Sequence, residues 1–203
     1  MLAITGGKGG VGKTTTALGL AAAAARAGDR PVVVDADRDC PNLAVAAGTD
    51  GKGLGRLAAG DPLRVAGTRV AGVTVLGARP GEDAFPEAAD RLAAADRPVV
   101  LDCPAGAGEP TAAPLAAADR SVVVARRTRR ALADGRKAAA MARRLGATPA
   151  GVVLSRAERV GRAERVFETT VLERVPRTDG PAPWRRHRPV YDRLYRSLRR
   201  QNP

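Results

Sequence analysis

Short runs of β-branched and aliphatic residues alternate along this chain with longer segments whose apolar positions recur every three or four residues. Runs that are apolar throughout read as strands buried on both faces, and the 3.6-residue period reads as helix. Strands are therefore expected at 2–4, 31–37, 73–76, 98–102, 121–125 and 151–154, with a short edge strand at 171–175. Helices are expected over 14–27, 83–95, 130–145, 160–170 and 190–200, with shorter helical stretches at 43–47 and 54–59. Gly28 supplies a stop for the first helix, Arg79-Pro80-Gly81 a turn, and 176–183 a loop. This alternation predicts an α/β fold, a doubly wound, mostly parallel sheet flanked by helices in a three-layer sandwich. At 203 residues the chain is most simply one domain, 1–203.

The first strand runs straight into Gly6-Gly7-Lys8-Gly9-Gly10-Val11-Gly12-Lys13-Thr14-Thr15-Thr16, and a helix follows. Gly7, four residues, then Gly12-Lys13-Thr14 fits G-x-x-x-x-G-K-[ST], in the strand–loop–helix context that a phosphate-binding loop requires. The glycines let backbone N–H groups converge on phosphate oxygens, and the helix N-terminus adds its positive field. Lys13 is placed for the β- and γ-phosphates, and the Thr14 hydroxyl for Mg²⁺. Gly7-x-Gly9-x-x-Gly12 also fits the dinucleotide fingerprint, a reading that leaves Lys13-Thr14 unexplained.

Two of the buried runs end in acids, Asp35-Ala-Asp37 and Asp102. In doubly wound sheets the carboxyl edge is where ligands bind. Asp35 and Asp37 are thus a candidate pair for contacting metal-bound water and orienting an attacking water. Asp39 or Asn42 is a candidate cap for the helical stretch at 43–47. Asp102 reads as the acid that holds Mg²⁺ directly or through water, and 103–108 as a flexible turn at the same edge.

The two cysteines, Cys40 and Cys103, form no metal-binding pattern and fit a reducing cytoplasm. No apolar run approaches 18 residues, and the five residues before the glycine loop leave no room for a secretory signal. A cytoplasmic protein is expected, with nucleoid or membrane association left open. His187, the single histidine, sits among Arg and Pro and reads as a surface residue.

Charge divides the chain. Residues 1–125 carry 13 basic and 14 acidic side chains; residues 126–203 carry 21 basic and 7 acidic. The basic part, 126–203, reads either as a solvated arginine-rich surface or as a face for a polyanion. It ends in an amphipathic segment, 190–200. Tyr191, Leu194, Tyr195 and Leu198 form one helical stripe, with Arg193, Arg196 and Arg200 opposite. The stripe either docks on the domain or lies on an anionic bilayer, with Trp184 as an added anchor.

These motifs, in this order, resemble the MinD/ParA family of P-loop ATPases. Lys8-Gly9-Gly10-Val11-Gly12-Lys13-Thr14 is similar to its deviant Walker A motif. Asp35-Ala-Asp37 with Pro41-Asn42-Leu43 is similar to its switch I in the MinD form, and Asp102-Cys-Pro-Ala-Gly106 to its Walker B and switch II. The resemblance implies ATP and Mg²⁺ as cofactors and ATP-bound homodimers with two nucleotides at the interface. It implies nucleotide contacts from Gly7, Lys8, Gly9, Gly10, Val11, Gly12, Lys13, Thr14 and Thr15, with Lys8 reaching the partner subunit's phosphates. Lys8, Lys13 and Asp37 would be catalytic, and Thr14, Asp37 and Asp102 would support the metal. The family often places an asparagine at the end of the sixth strand to read adenine; here Ser155-Arg156 stands there, and Val175-Pro176-Arg177 resembles the loop that closes on the base, so Ser155 and Pro176 are the base-side candidates.

The implied function is a slow switch ATPase, stimulated by an activating protein partner, that positions or partitions a cargo such as a chromosome, plasmid or division machinery. Charge spread over 126–200 favours non-specific DNA slightly over anionic membrane as the polyanionic matrix. The alternative is a metabolic or maturation P-loop enzyme that uses ATP to activate a second substrate.

Overall fold

The computed structural model describes residues 1–201 except 162, 179 and 181. β1 (Leu2–Thr5) leads through the glycine loop to α1 (Lys13–Arg26), then β2 (Val32–Asp35) and α2 (Leu43–Ala47). Two short helices, α3 (Leu54–Ala58) and α4 (Leu63–Ala66), precede β3 (Thr68–Val70) and β4 (Val73–Leu76). α5 (Phe85–Ala93), β5 (Val99–Asp102), α6 (Ala112–Ala116), β6 (Arg120–Arg126) and α7 (Arg129–Arg144) follow. The chain ends with β7 (Pro149–Ser155), α8 (Ala163–Phe167), β8 (Val171–Val175), α9 (Pro183–Arg186) and α10 (Arg188–Arg200).

The strands form one eight-stranded sheet in the order β3-β4-β2-β5-β1-β6-β7-β8. Every pairing is parallel except β3 with β4. The doubly wound, mostly parallel sandwich expected from the sequence is therefore the fold. Residues of one strand alternate between the two faces of the sheet, where buried side chains form three clusters, the third around Val123, Val152 and Phe167. Ile4, Val33, Val100, Val122 and Val153 pack with α1, α2, α9 and α10. Ala3, Val32, Val34, Val99 and Leu101 pack with α3, α5, α6 and α7 on the other face. Both faces are covered, so these strands are apolar throughout instead of alternating.

The parallel strands bring the carboxyl ends of β1, β2, β5, β6 and β7 to one edge. β1 lies at the switch point: the chain winds away from it to β2 on one side and reaches β6 on the other, which places a ligand crevice at its carboxyl end.

Several boundaries differ from the sequence reading. β3 was not expected. It forms an antiparallel hairpin with β4 through Ala71 and Gly72, both at positive φ, and an Ala-Gly pair lacks the Asn or Asp that signals such a turn. α9 begins in the stretch expected as loop, and α6 lies where no element was expected; each is a single turn with a proline inside it. The helix expected at 83–95 is shorter, beginning at Phe85 with Pro86 in its first turn.

The terminal helix docks on the domain. Tyr191 and Leu194 are fully buried, and Leu198 is nearly so, all within the α1 core. Gly19 of α1 makes room for this: a Cβ there would stand 2.5 Å from the Tyr191 ring. Arg26–Asp192 and Arg193–Glu173 ion pairs flank the contact at 2.5 Å and 2.7 Å. Trp184 is no exposed anchor. It is buried, and its indole N–H donates to the Ala46 carbonyl at 3.1 Å. The bilayer reading of 190–200 thus loses the apolar stripe on which it rested. Among the described residues, no helix is long and apolar enough to cross a membrane.

Candidate nucleotide-binding site

The loop between β1 and α1 is shaped by what grips its carbonyls. Gly6 O accepts from the Gly106 N–H at 2.9 Å, Gly10 O from the Arg126 guanidinium at 2.5 Å, and Val11 O from the Ser155 hydroxyl at 2.5 Å. Neighbours from β5, β6 and β7 occupy the acceptors, which leaves the loop's N–H groups as its ligand-facing chemistry. Gly12 holds φ +100, a left-handed conformation that side chains resist. Gly7 lies against the α7 backbone at Asp134, Gly9 faces open space, and the Val11 side chain is buried in the core. α1 begins with no capping side chain and no acid in its first turn, so its N–H groups are open to an anion.

The two lysines of this loop part company. Lys13 is buried, with 8% of its surface exposed. Lys8 stays at the rim: its side chain is 42% exposed and meets Asp134 of α7 at 4.0 Å.

Beneath the loop, Asp102 ends β5. It is buried, and its Oδ1 has no hydrogen-bond partner. Burial raises its carboxyl to a pKa of about 7; the Thr14 hydroxyl and the Lys13 charge pull it down, while the Asp35 charge pushes it up. An orphaned buried carboxylate oxygen beside a threonine hydroxyl is the donor set that a hard dication takes. No group of three or more His, Cys, Asp or Glu side chains among the described residues is placed to hold a metal. A cation here would therefore need phosphate oxygens beside Thr14 and Asp102.

Asp35 and Asp37, paired as candidates above, do different things. The Asp35 carboxylate accepts from the N–H groups of Leu43 at 2.9 Å and Asp37 at 3.2 Å. It caps α2 and folds the loop that follows β2, work expected of Asp39 or Asn42; Asn42, at the cap position, makes no capping bond. Burial raises its pKa to about 6, against the pull of those two bonds. Asp37 is half-buried and accepts from the Cys40 N–H at 3.0 Å. Arg38 next to it reaches Asp83 at 2.7 Å and Glu109 at 3.2 Å, so the β2 loop is tied to the segment after β5.

Strand–loop–helix with a buried Lys13, an exposed Lys8 and paired acids on adjacent strands has counterparts. The profile of the CobQ/CobB/MinD/ParA nucleotide binding domain matches residues 2–184. The chain belongs to this family. An uncharacterized ATP-binding protein of Methanocaldococcus jannaschii is 32% identical over 193 residues, covering 86% of this chain and 73% of that protein. The Pyrococcus furiosus cell division ATPase MinD superposes with a TM-score of 0.84 at 24% identity, covering 98% of both chains. Cobyrinic acid a,c-diamide synthase from Mycobacterium smegmatis, solved with ADP and magnesium, gives 0.72 at 23%, covering 98% of this chain and 94% of the synthase.

From the phosphate loop of this family member a cleft continues past Thr15 and Ser155 to Pro176, Thr178 and His187. Ser155 and Pro176 thus lie together beside Gly12, but the Ser155 hydroxyl is committed to the Val11 carbonyl. Arg156 is exposed and sits at φ +50. His187 is not a surface residue: it is half-buried in this cleft and hydrogen-bonded through Nε2 to Thr178. The contacts of Arg126, Asp134 and His187 carried no sequence signal, because each side chain reaches the site from a separate element.

Proposed function

We propose that this chain is an ATP-dependent dimerising switch of the MinD/ParA type that hydrolyses ATP to ADP and phosphate. The observation that carries this reading is the division of the two loop lysines. Lys13 is enclosed with its own phosphate cradle, whereas Lys8 stands at the rim, able to leave Asp134 and reach a second copy's nucleotide.

In the proposed reaction the N–H groups at Gly7–Thr15 and the Lys13 ammonium hold the β- and γ-phosphates. Thr14 and Asp102 would hold Mg²⁺, which would supply charge neutralisation to the phosphates. Asp37, at the carboxyl edge, orients a water for in-line attack on the γ-phosphorus. Lys8 of the partner subunit offsets the charge on the leaving β-phosphate oxygen. Catalysis is by positioning and charge, without a covalent intermediate. Turnover is slow until a partner protein stimulates it.

The matrix we favour is DNA, bound through phosphates. The docked stripe of α10 removes the apolar face that a bilayer would need, and arginines remain exposed on α7 and α10 (Arg130, Arg144, Arg196, Arg200). A metabolic enzyme that activates a second substrate is the competing reading, supported by the likeness to the diamide synthase fold.

The test is binding to a random-sequence duplex with ATP and with ADP across a salt series, with mass measured in parallel. Dimer formation and DNA affinity that both require ATP, the affinity falling steeply with salt, are expected. A monomer in ATP that binds no DNA would remove the switch reading.

A further inference from the structure

A nucleotide seated by its phosphates at Gly12 and Lys13 can extend its nucleoside along the cleft that leaves the loop there. The polar side chains along that cleft are few. Thr15 and Thr16 belong to the phosphate end. The Ser155 hydroxyl donates to the Val11 carbonyl, Arg156 borders the cleft with an exposed side chain, and Tyr191 borders it from within the core. At the far end stand Thr178 and His187, hydrogen-bonded to each other.

The position of His187 is built from several sides. It ends α9 and opens α10, and its carbonyl accepts from the Val190 and Tyr191 N–H groups at 3.0 Å and 3.2 Å. Tyr191 is locked on Gly19 of α1, and Trp184 pins α9 to the Ala46 carbonyl. The imidazole is therefore fixed relative to α1, whose N-terminus holds the phosphates. With Nε2 engaged by Thr178, the remaining ring nitrogen, Nδ1, has no hydrogen-bond partner among the described residues and can meet a ligand. The threonine hydroxyl either donates to Nε2 or accepts from it, and in doing so sets whether Nδ1 donates or accepts.

We propose that the Thr178–His187 pair is the specificity-determining contact to the nucleoside of the bound nucleotide. The Ser155 hydroxyl, held by the Val11 carbonyl, does not compete for this contact. This inference rests on the phosphate-loop reading of the same site.

The experiment uses the untagged 203-residue chain, in which His187 is the only histidine, so its ring C–H signals in an NMR spectrum need no assignment. ATP and inorganic tripolyphosphate are titrated in turn with Mg²⁺ present, and affinities are measured for wild type, His187→Ala and Thr178→Val. The His187 backbone carbonyl, not its ring, accepts from α10, so the alanine variant keeps that cap. Expected are ring shifts with ATP but not with tripolyphosphate. Each variant should lose about tenfold in ATP affinity, one hydrogen bond in a desolvated site, with tripolyphosphate affinity unchanged. ATP affinity unchanged in both variants, or ATP and tripolyphosphate weakened alike, would overturn the proposal. Wild-type protein that binds neither ligand would instead overturn the phosphate-loop reading.

Discussion

Asp35 and Asp102 stand opposite each other in register on β2 and β5, and both are buried. Burial pushes both carboxyls up, to about 6 and about 7. Each lies above its unfolded value, so between about pH 4 and pH 7 the folded chain holds protons that the unfolded chain has released. Their stabilising contribution is complete below pH 4 and is lost as pH rises through 6 and 7. For Asp35 alone the loss is about 3 kcal/mol. The nucleotide-free protein is expected to show a lower urea midpoint at pH 8 than at pH 5.5. Asp102→Asn should remove much of that drop; a drop of equal size in the variant would exclude Asp102 as its source.

Lys13→Ala removes the buried cation of the phosphate cradle. Affinity for Mg-nucleotide should fall by at least 100-fold, as read by fluorescence titration, while the fold persists in circular dichroism. Retained affinity would mean that the loop does not bind phosphate through Lys13.

Asp37→Ala is expected to leave nucleotide affinity within about threefold and to reduce phosphate release by 100-fold or more. The Cys40 N–H loses its acceptor in this variant, so a modest loss of stability, about 1 kcal/mol, should accompany it. Unchanged turnover would take Asp37 out of the reaction.

Lys8 and Asp134 give the clearest separation between one subunit's work and two. Lys8→Ala should bind ATP normally as a monomer yet fail to dimerise or hydrolyse. Asp134→Ala frees Lys8 from its ion pair and should lower the ATP concentration needed for dimerisation. Analytical ultracentrifugation with ATP and ADP reads both. An Asp134→Ala variant with an unaltered dimerisation curve would show that this contact restrains nothing.

How far the sequence carried this picture depended on where the information lay. The loop at 6–16 was legible because its chemistry is local: glycines, lysine and threonine act through spacing alone. β1, β2, β5 and β6 were legible because burial on both faces leaves an unbroken apolar run. Asp35 was misassigned because its partner, the Leu43 N–H, lies beyond a loop that the spacing does not define. Trp184 suggested a membrane anchor because its acceptor, the Ala46 carbonyl, is 138 residues away. Arg126 and His187 acquire their roles only when the sheet order places β6 and α10 beside the loop.

The fit of Tyr191 over Gly19 has a consequence for how the chain is made. Synthesis delivers the amino-terminal part first, and α1 with its strands is out of the ribosome long before α10 exists. Until the last helix emerges, the notch at Gly19 and the apolar surface around it lack their cover, and the cleft lacks the wall that His187 provides. The Arg26–Asp192 pair that flanks this contact spans 166 residues, a closure that waits for α10 to be made. The site is thus completed only once α10 has been made, and a chain truncated before α10 would carry an intact phosphate loop on an open core.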